Sequence, residues 1–217
     1  MSKAVLISIR PKWCELIATG DKTVEVRKTR PKLEPPFKCY VYCTMPKREY
    51  DDFISFVTEE GAVGFFGGGK VIGEFTCQEI EDFDSAGSEW AYAVAPRDIP
   101  CTMPMHEATA LRIMTEKGCL TCEDIEAYFG DDDYEACFWH ITDFVVYDTP
   151  KELSEFSGLR QTKFGLEPVS LKRPPQSWYY VEEFGSYECC ADDCVDCPKK
   201  DFCDDYIGPE DYNHAKE

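Results

Sequence analysis

The sequence lacks several patterns that would place the protein in a common functional class. It contains no run of about 18 apolar residues, so no membrane-spanning helix is expected. Its start, MSKAVLISIRPKW, has too short an apolar run for a signal peptide, which predicts a cytoplasmic protein. There are only three histidines, and neither an HExxH helix nor a Ser/His/Asp order is visible. The glycine-rich GFFGGGK has neither the Walker nor the GxGxxG pattern, which favours a hairpin over a phosphate loop.

Positive charge is scarce but concentrated near the beginning of the chain. The 217 residues include 23 Lys+Arg and 42 Asp+Glu, for a net charge of -19. Residues 1–48 carry a net +7 and residues 49–217 a net -26. Because non-specific nucleic-acid binding needs many cationic phosphate contacts, we expect any nucleic-acid ligand to be recognised locally, in a pocket or short groove. Two alternatives are that the acidity serves solubility, or that the acidic surface binds a protein partner.

The order of predicted elements indicates an α+β protein. Apolar alternation predicts strands over 3–10, 23–28, 38–44, 70–83, 136–148 and 174–183, and helices are predicted over 11–20, 50–60 and 120–130. The segment between residues 83 and 120 is predicted to be irregular. Many strands with few short helices favour a small, partly closed β-barrel with short inserted helices over a doubly wound sheet.

A group of charged residues lies in the stretch TGDKTVEVR, residues 19–27. Glu25 and Arg27 share one face of the predicted strand, interpreted as the outward face, and Lys22 lies at its entrance. Lys22 beside a carboxylate could act as a base or nucleophile, and Arg27 could bind a phosphate or carbonyl. Trp13 could stack on a base while Arg10 holds the backbone. The alternative is a structural ion pair between Glu25 and Arg27.

The stretch VLISIRPKWCELIATGDKTVEVRKTRP resembles the beginning of the ASCH domain, a branch of the PUA-like superfamily. Its shared elements are a strand ending in S-x-R/K-P, a helix with an aromatic residue, and G-x-K-x-x-E-x-R. The later segments GKVIGEFTCQEI, CFWHITDFVVYD and LKRPPQSWYYV resemble strands of the same family, the last of them in phage-like and bacterial members. This resemblance places an ASCH/PUA-like domain over residues 1–184.

The resemblance implies a PUA-like barrel with a cleft on one side that binds RNA or a modified nucleoside. We expect Arg10, Trp13, Lys22, Glu25 and Arg27 to line this cleft. One bacterial branch is similar to an amidohydrolase that deacetylates N4-acetylcytidine with a Lys, a Thr and a Glu. Lys22 matches that Lys, whereas Glu25 replaces the Thr. Lys22 and Glu25 are therefore the candidate catalytic residues of an alternative, enzymatic function.

Cysteines are numerous, and thirteen occur in the chain. Eight are scattered and predicted to be reduced thiols, several of them buried. One of these, Cys14, lies beside the basic cluster, and a packed thiol is favoured there over a nucleophile.

The last segment, residues 185–217, is predicted to be a separate cysteine-rich, metal-binding tail. Cys190, Cys194, Cys197 and Cys203 lie within 14 residues, with Cys189 as a spare thiol. Four thiolates with a C-x-x-C step suit tetrahedral zinc, and an iron–sulfur cluster or disulfides remain alternatives. Because acidic residues surround the cluster, a structural or partner-facing role is favoured over nucleic-acid contact.

Overall fold

The computed structural model describes residues 2–45, 53–58, 61–85, 105–130, 134–163 and 165–183. The elements in these ranges are β1 (Lys3–Ile9), α1 (Pro11–Ala18), β2 (Val24–Arg27), β3 (Phe37–Cys43), β4 (Phe53–Thr58), β5 (Gly61–Phe66), β6 (Val71–Asp84), α2 (Met105–Arg112), α3 (Cys122–Phe129), β7 (Glu135–Lys151), β8 (Ser157–Thr162), β9 (Gly165–Ser170) and β10 (Trp178–Glu182). A π-helical turn at Ile113–Lys117 continues α2, and a 3-10 turn at Leu153–Glu155 precedes β8.

Within the described ranges, eight strands form one mixed sheet in the order β2-β7-β6-β3-β1-β10-β8-β9. The β1–β3 pair is parallel and the other neighbours are antiparallel. β4 and β5 form a separate hairpin. The α+β class is thus confirmed. The sheet is not closed into a barrel, because its end strands β2 and β9 do not pair with each other in this part of the chain.

Helix α1 packs on the sheet because its sequence is apolar on one side and ends abruptly. Pro11 occupies the first turn, where its missing N–H is not needed. Cys14 and Ile17 are buried and join the main core cluster, in which Ile7 and Trp139 contribute from β1 and β7. Gly20 adopts φ +80, a left-handed conformation that ends the helix at low cost only for glycine. The turn leads the chain directly into β2.

The opposite face of the β2–β7 pair is covered by a second cluster. Val24 and Val26 of β2 pack there with Phe138 of β7. Met114 of the π-helical turn and Ile125 of α3 cover them. Strand β2 is consequently buried on both faces, with all four of its residues shielded from solvent.

Two predicted elements differ from the structure. Residues 53–58, predicted as part of a helix, form strand β4, since FISFVT is rich in the aromatic and β-branched residues that favour strands and pairs with β5. Residues 105–117, predicted as irregular, form α2 and the π-helical turn, because MHEATALR contains good helix formers without a strong apolar stripe. No helix in the described ranges is long and apolar enough to cross a lipid bilayer.

Candidate functional site

Lys22 is held in the interior by a turn and two acceptors. Its backbone N–H donates to the Leu16 carbonyl oxygen at 2.9 Å, which folds the residue back beneath α1. Its Nζ donates to the Gly118 carbonyl oxygen at 2.7 Å and lies 3.3 Å from Glu25 Oε2. The side chain is only 1% exposed. The ammonium group is therefore anchored between β2 and the C-terminal end of the π-helical turn, where carbonyl oxygens attract cations.

Glu25 and Arg27 point into the protein, so the prediction that they face outward is wrong. In the β2–β7 ladder Glu25 lies opposite Trp139, and Arg27 lies opposite Cys137. Side chains directly opposite in an antiparallel pair share one face, and here it is the face of the main core cluster. The strand has the predicted period of two, but its charged face is buried because the charges pair with one another.

Arg27 connects three parts of the structure. Its Nη2 donates to the Ser8 carbonyl oxygen at 2.6 Å, and its Nη1 donates to Ser177 Oγ at 3.3 Å. Its Nε lies 2.9 Å from Glu25 Oε1, close enough for charge attraction, but at an angle that leaves the Nε–H without a hydrogen bond. Lys22, Glu25 and Arg27 thus form one continuous ionic chain, and its two cations and one carboxylate carry a net charge of +1.

Trp13 joins this chain, whereas Arg10 does not. The Trp13 ring lies 5.2 Å from Lys22 Nζ and 4.2 Å from Lys12 Nζ, within cation–π range of both. Arg10 occupies the N-cap of α1 with an exposed side chain, and it forms no ion pair with Glu25 in the described structure. The structure therefore brings together four of the five residues predicted to bind the ligand.

A cavity of about 280 Å³ opens beside Lys22. Its polar lining residues are three threonines, Lys22 and Asp143, contributed by the α1–β2 turn and by β7. The lining residues are Ile17, Ala18, Thr19, Gly20, Lys22, Thr23, Ile141, Thr142, Asp143 and Phe144. Asp143 has φ +51, an uncommon backbone conformation for a residue other than glycine. The volume is near the lower limit for small-molecule sites.

A larger depression of about 410 Å³ lies at the other end of β2, but its cations are already engaged. Arg30 Nη1 is 2.7 Å from Asp82 Oδ2, and Lys28 Nζ lies over the rings of Tyr128 and Phe129. The smaller cavity is the better candidate site because it borders the buried ionic chain.

The prediction that Cys14 is a packed thiol is confirmed. The residue is fully buried, and its Sγ lies 3.6 Å from the Ile9 carbonyl oxygen. Burial, together with a side-chain hydrogen bond to Cys43, raises the pKa of the Cys14 thiol well above 9.0. A thiol held in the protonated form is a poor nucleophile.

Sequence reasoning did not identify the hydrogen-bond acceptors of Lys22 and Arg27 or the β7 residues that line the cavity. Gly118 and Ser8 contribute main-chain oxygens, and no side-chain pattern marks such acceptors. Thr142 and Asp143 belong to the CFWHITDFVVYD segment. The resemblance of that segment to an ASCH strand was the one signal that pointed to them.

The predicted zinc ligands Cys190, Cys194, Cys197 and Cys203, and the spare Cys189, lie outside the described residues. Within those residues, no group of three or more His, Cys, Asp or Glu side chains is arranged to hold a metal ion.

Comparison with known proteins identifies the family. Solved structures similar to this chain include an ASCH protein from Zymomonas mobilis, with 17% identity, a TM-score of 0.46, and coverage of 83% of this chain and 88% of that one. A tyrosine-to-phenylalanine mutant from the same organism matches with 17% identity, a TM-score of 0.44, and coverage of 84% and 92%. A serine-to-alanine mutant matches with 16% identity, a TM-score of 0.44, and coverage of 83% and 89%. No curated protein matches the sequence significantly. The sequence model of the ASCH domain matches residues 7–164, and the chain therefore belongs to the ASCH domain family.

Proposed function

We propose that this protein binds RNA or a modified nucleoside at the cavity beside Lys22, within a PUA-like domain. The observation that carries the proposal is the position of Lys22, which lines the cavity and is also the first member of the buried Lys22–Glu25–Arg27 chain. A group that enters the cavity would lie next to a residue whose charged side chain is held in place before binding by Gly118 and Glu25. Such preorganisation lowers the entropy that must be lost on binding.

The charge of the ionic chain favours an electron-rich ligand. One carboxylate cannot neutralise two cations, so the net charge of +1 attracts a carbonyl or phosphate oxygen. The hydroxyl group of Thr23 can donate and accept hydrogen bonds, which suits the edge of a nucleobase, and that of Thr142, which donates to the Thr76 carbonyl oxygen at 3.3 Å, can still accept one. Phe144 adds an aromatic ring to the lining of the cavity.

The overall charge supports recognition of one nucleotide over recognition of a long backbone. With a net charge of -19, the protein repels extended RNA except near its basic segment, residues 1–48. Short RNA should therefore bind with a weak dependence on salt, because few phosphates are neutralised.

The contacts of Lys22 favour binding over nucleophilic catalysis. A nucleophilic amine needs a free lone pair, whereas this Nζ donates to the Gly118 carbonyl oxygen and faces a carboxylate. The alternative is an amidohydrolase that acts on an acylated nucleoside such as N4-acetylcytidine. It is supported by the 3.3 Å separation of Lys22 Nζ and Glu25 Oε2, which places a carboxylate beside the candidate nucleophile.

Titration of Trp13 fluorescence tests the proposal. Cytidine, N4-acetylcytidine and a short single-stranded RNA are added at low salt to the wild type, to Lys22→Met and to Lys28→Met. Lys22→Met retains the side-chain length without the charge, and Lys28→Met is the matched control outside the cavity. We expect affinity to fall at least about tenfold in Lys22→Met and to stay unchanged in Lys28→Met. A Trp13→Phe variant identifies which part of the signal comes from Trp13.

Chromatography of the same mixtures distinguishes binding alone from amidohydrolase activity, because it detects conversion of the nucleoside. Conversion of N4-acetylcytidine to cytidine by the wild type, lost in Lys22→Met and in Glu25→Gln, would establish the amidohydrolase. Binding without conversion supports the proposed function. If no ligand binds at low salt, the proposal fails, and a protein partner for the acidic surface becomes the leading alternative.

A further inference from the structure

The segment between β9 and β10 is fastened to the end of β1. Ser8 Oγ donates to the Pro175 carbonyl oxygen at 2.7 Å, and the Ser8 N–H donates to the Ser177 carbonyl oxygen at 2.9 Å. Ser177 Oγ in turn accepts from Arg27 Nη1 at 3.3 Å. These contacts hold the segment against β1, and with it the two basic residues that lie just before Pro175 in the chain.

Three exposed cations meet at this junction. Lys172 and Arg173 belong to the fastened segment, and Arg10 directly follows β1. Arg173 is two residues from Pro175, just as Arg10 is two residues from Ser8. Because one residue spans at most about 3.6 Å, the Cα of each arginine lies within about 7 Å of the Cα of a residue that makes the Ser8–Pro175 hydrogen bond. The long side chains can therefore present their charges to the same ligand.

Within the described residues, these cations have no carboxylate partner, although the chain has 42 acidic and only 23 basic residues. None of the ion pairs in this part of the chain includes Arg10, Lys172 or Arg173. Other exposed cations do find a carboxylate, as Lys70 does with Glu152. A group of unpaired cations on an acidic protein makes a local positive surface, and such a surface attracts anions.

Helix α1 connects the junction to the cavity beside Lys22. The helix begins at Pro11, next to Arg10, and its last residue, Ala18, lines the cavity. Its eight residues span roughly 12 Å, a distance that a few nucleotides can cover. The Trp13 ring lies between the two ends of this path, 5.2 Å from Lys22 Nζ. An RNA strand could thus contact the cations and the cavity at the same time.

We infer that Arg10, Lys172 and Arg173 form a phosphate-binding strip for a single-stranded RNA whose target nucleotide occupies the cavity. This inference rests on the proposed function and narrows it from a free nucleoside to a nucleotide within RNA. Guanidinium groups suit phosphate, because their planar N–H groups can bind two of its oxygens at once. Phosphate contacts position a strand without reading its sequence, so the strip holds the strand and the cavity recognises one base.

Fluorescence anisotropy of an end-labelled RNA hexamer tests the strip in the wild type, in Arg10→Gln and in the double variant Lys172→Gln/Arg173→Gln. Glutamine retains a polar side chain without the charge. The matched control is Arg160→Gln/Lys163→Gln, which removes two exposed cations from the β8–β9 hairpin.

RNA affinity should fall at least about tenfold in the double variant and stay within about twofold of the wild type in the control. The dependence of log K on log salt should weaken by about 0.7 for each phosphate contact that is lost. The loss should be the same for hexamers of different sequence, because the strip contacts only the backbone.

Cytidine, followed by Trp13 fluorescence, distinguishes the strip from the cavity. A free nucleoside has no phosphate, so its affinity should stay within about twofold in the double variant. If Arg10→Gln and the double variant bind the hexamer as well as the control does, the strip is refuted and the proposed function stands. Equal losses of RNA and cytidine binding would show that the segment only supports the cavity, which also refutes the strip. If the wild type binds neither ligand, the proposed function and the strip fail together.

Discussion

Arg27 donates a hydrogen bond from Nη2 to the main-chain oxygen of Ser8 at 2.6 Å, and this contact joins β2 to β1. In the sheet order, β7, β6 and β3 lie between these two strands. Because neighbouring strands are about 4.8 Å apart, β2 and β1 would be roughly 19 Å apart in a flat sheet. The sheet must therefore curl until β2 approaches β1. The Arg27 side chain then connects these two strands, which do not pair through their backbones.

Replacing Arg27 should strongly destabilise the protein. In Arg27→Ala, Ser8 loses its donor and the buried Glu25 retains only Lys22 as a partner. Breaking a buried ion pair from one side costs about 3–5 kcal/mol, so we expect the free energy of unfolding to fall by that amount. Urea unfolding followed by circular dichroism measures it.

The matched control is Arg30→Ala, on the same segment of chain. Arg30 also forms an ion pair, with Asp82 at 2.7 Å, but the side chains are 33% and 58% exposed. Exposed pairs contribute little, and we expect a loss of at most about 1 kcal/mol. Equal losses in the two variants would contradict the bridging role of Arg27.

The local features of this site follow from the sequence, and the long-range ones do not. The turn after α1 and the shared face of Glu25 and Arg27 were predictable, since each depends on a few neighbouring residues. The acceptor of Lys22 lies 96 residues away at Gly118, and it is a main-chain atom that no residue type marks. The buried orientation of Glu25 was missed because charged residues are usually exposed unless they are paired.

The same distinction holds for the fold. Strand β6 was predictable from its length and pattern, and α3 was predictable from its capping residues. Strand β4 was misread as helical because its apolar residues come without a clear alternation, and pairing with β5 decides its conformation. The predicted closure of the barrel requires the two end strands of the sheet to pair with each other. The residue pattern within a strand does not indicate which other strand it will pair with.

The N-terminus of α3 should depend on its capping box. Thr121 Oγ1 accepts from the Asp124 N–H at 3.1 Å, and Asp124 Oδ2 accepts from the Thr121 N–H at 3.1 Å. Thr121→Ala should lower the free energy of unfolding by about 1 kcal/mol, whereas Thr121→Ser should retain most of the stability. Urea unfolding of the three proteins at neutral pH makes the comparison. A Ser variant as unstable as the Ala variant would point to the lost methyl group instead.

Asp124 makes this cap sensitive to pH. The Asp124 carboxylate accepts a hydrogen bond from the Thr121 N–H and is attracted by the positive charge of Lys12. Both interactions hold the pKa of the Asp124 carboxyl below its ordinary value of 3.8. A lowered pKa in the folded state means that the carboxylate stabilises the protein above pH 3.8, and that this contribution disappears as the pH falls through the folded pKa. Unfolding of the wild type and Asp124→Asn should thus differ at neutral pH and converge in acid. A difference that grows in acid would contradict the assignment.

Among the described cysteines, exposed thiols should react with an alkylating reagent faster than buried thiols. Cys39 is fully buried, and burial raises its pKa well above 9.0. Cys77 and Cys137 are also buried, and desolvation raises the pKa of each to about 12. Cys122, by contrast, is exposed. Mass spectrometry after brief alkylation at neutral pH should find Cys122 modified and the three buried thiols modified only in urea. Early labelling of Cys39 would show that the core opens readily.

The cysteine-rich tail is predicted to bind one zinc ion through Cys190, Cys194, Cys197 and Cys203. Four thiolates satisfy tetrahedral coordination, and the sequence supplies them within 14 residues. Elemental analysis of the purified protein should find about one zinc per chain. Iron with a visible absorption band would indicate a cluster instead. A double Cys194→Ser/Cys197→Ser variant should lose the metal.

The control for the tail is Cys122→Ser, a thiol on α3 outside the predicted ligand set, which should keep the metal. Thiolate ligands must lose their protons before they coordinate, so zinc should dissociate as the pH is lowered. Because the ionic chain of Lys22, Glu25 and Arg27 is assembled by β2 and its neighbours, nucleoside binding should survive in the double Ser variant. Loss of both metal and nucleoside binding would show that the tail contributes to the site.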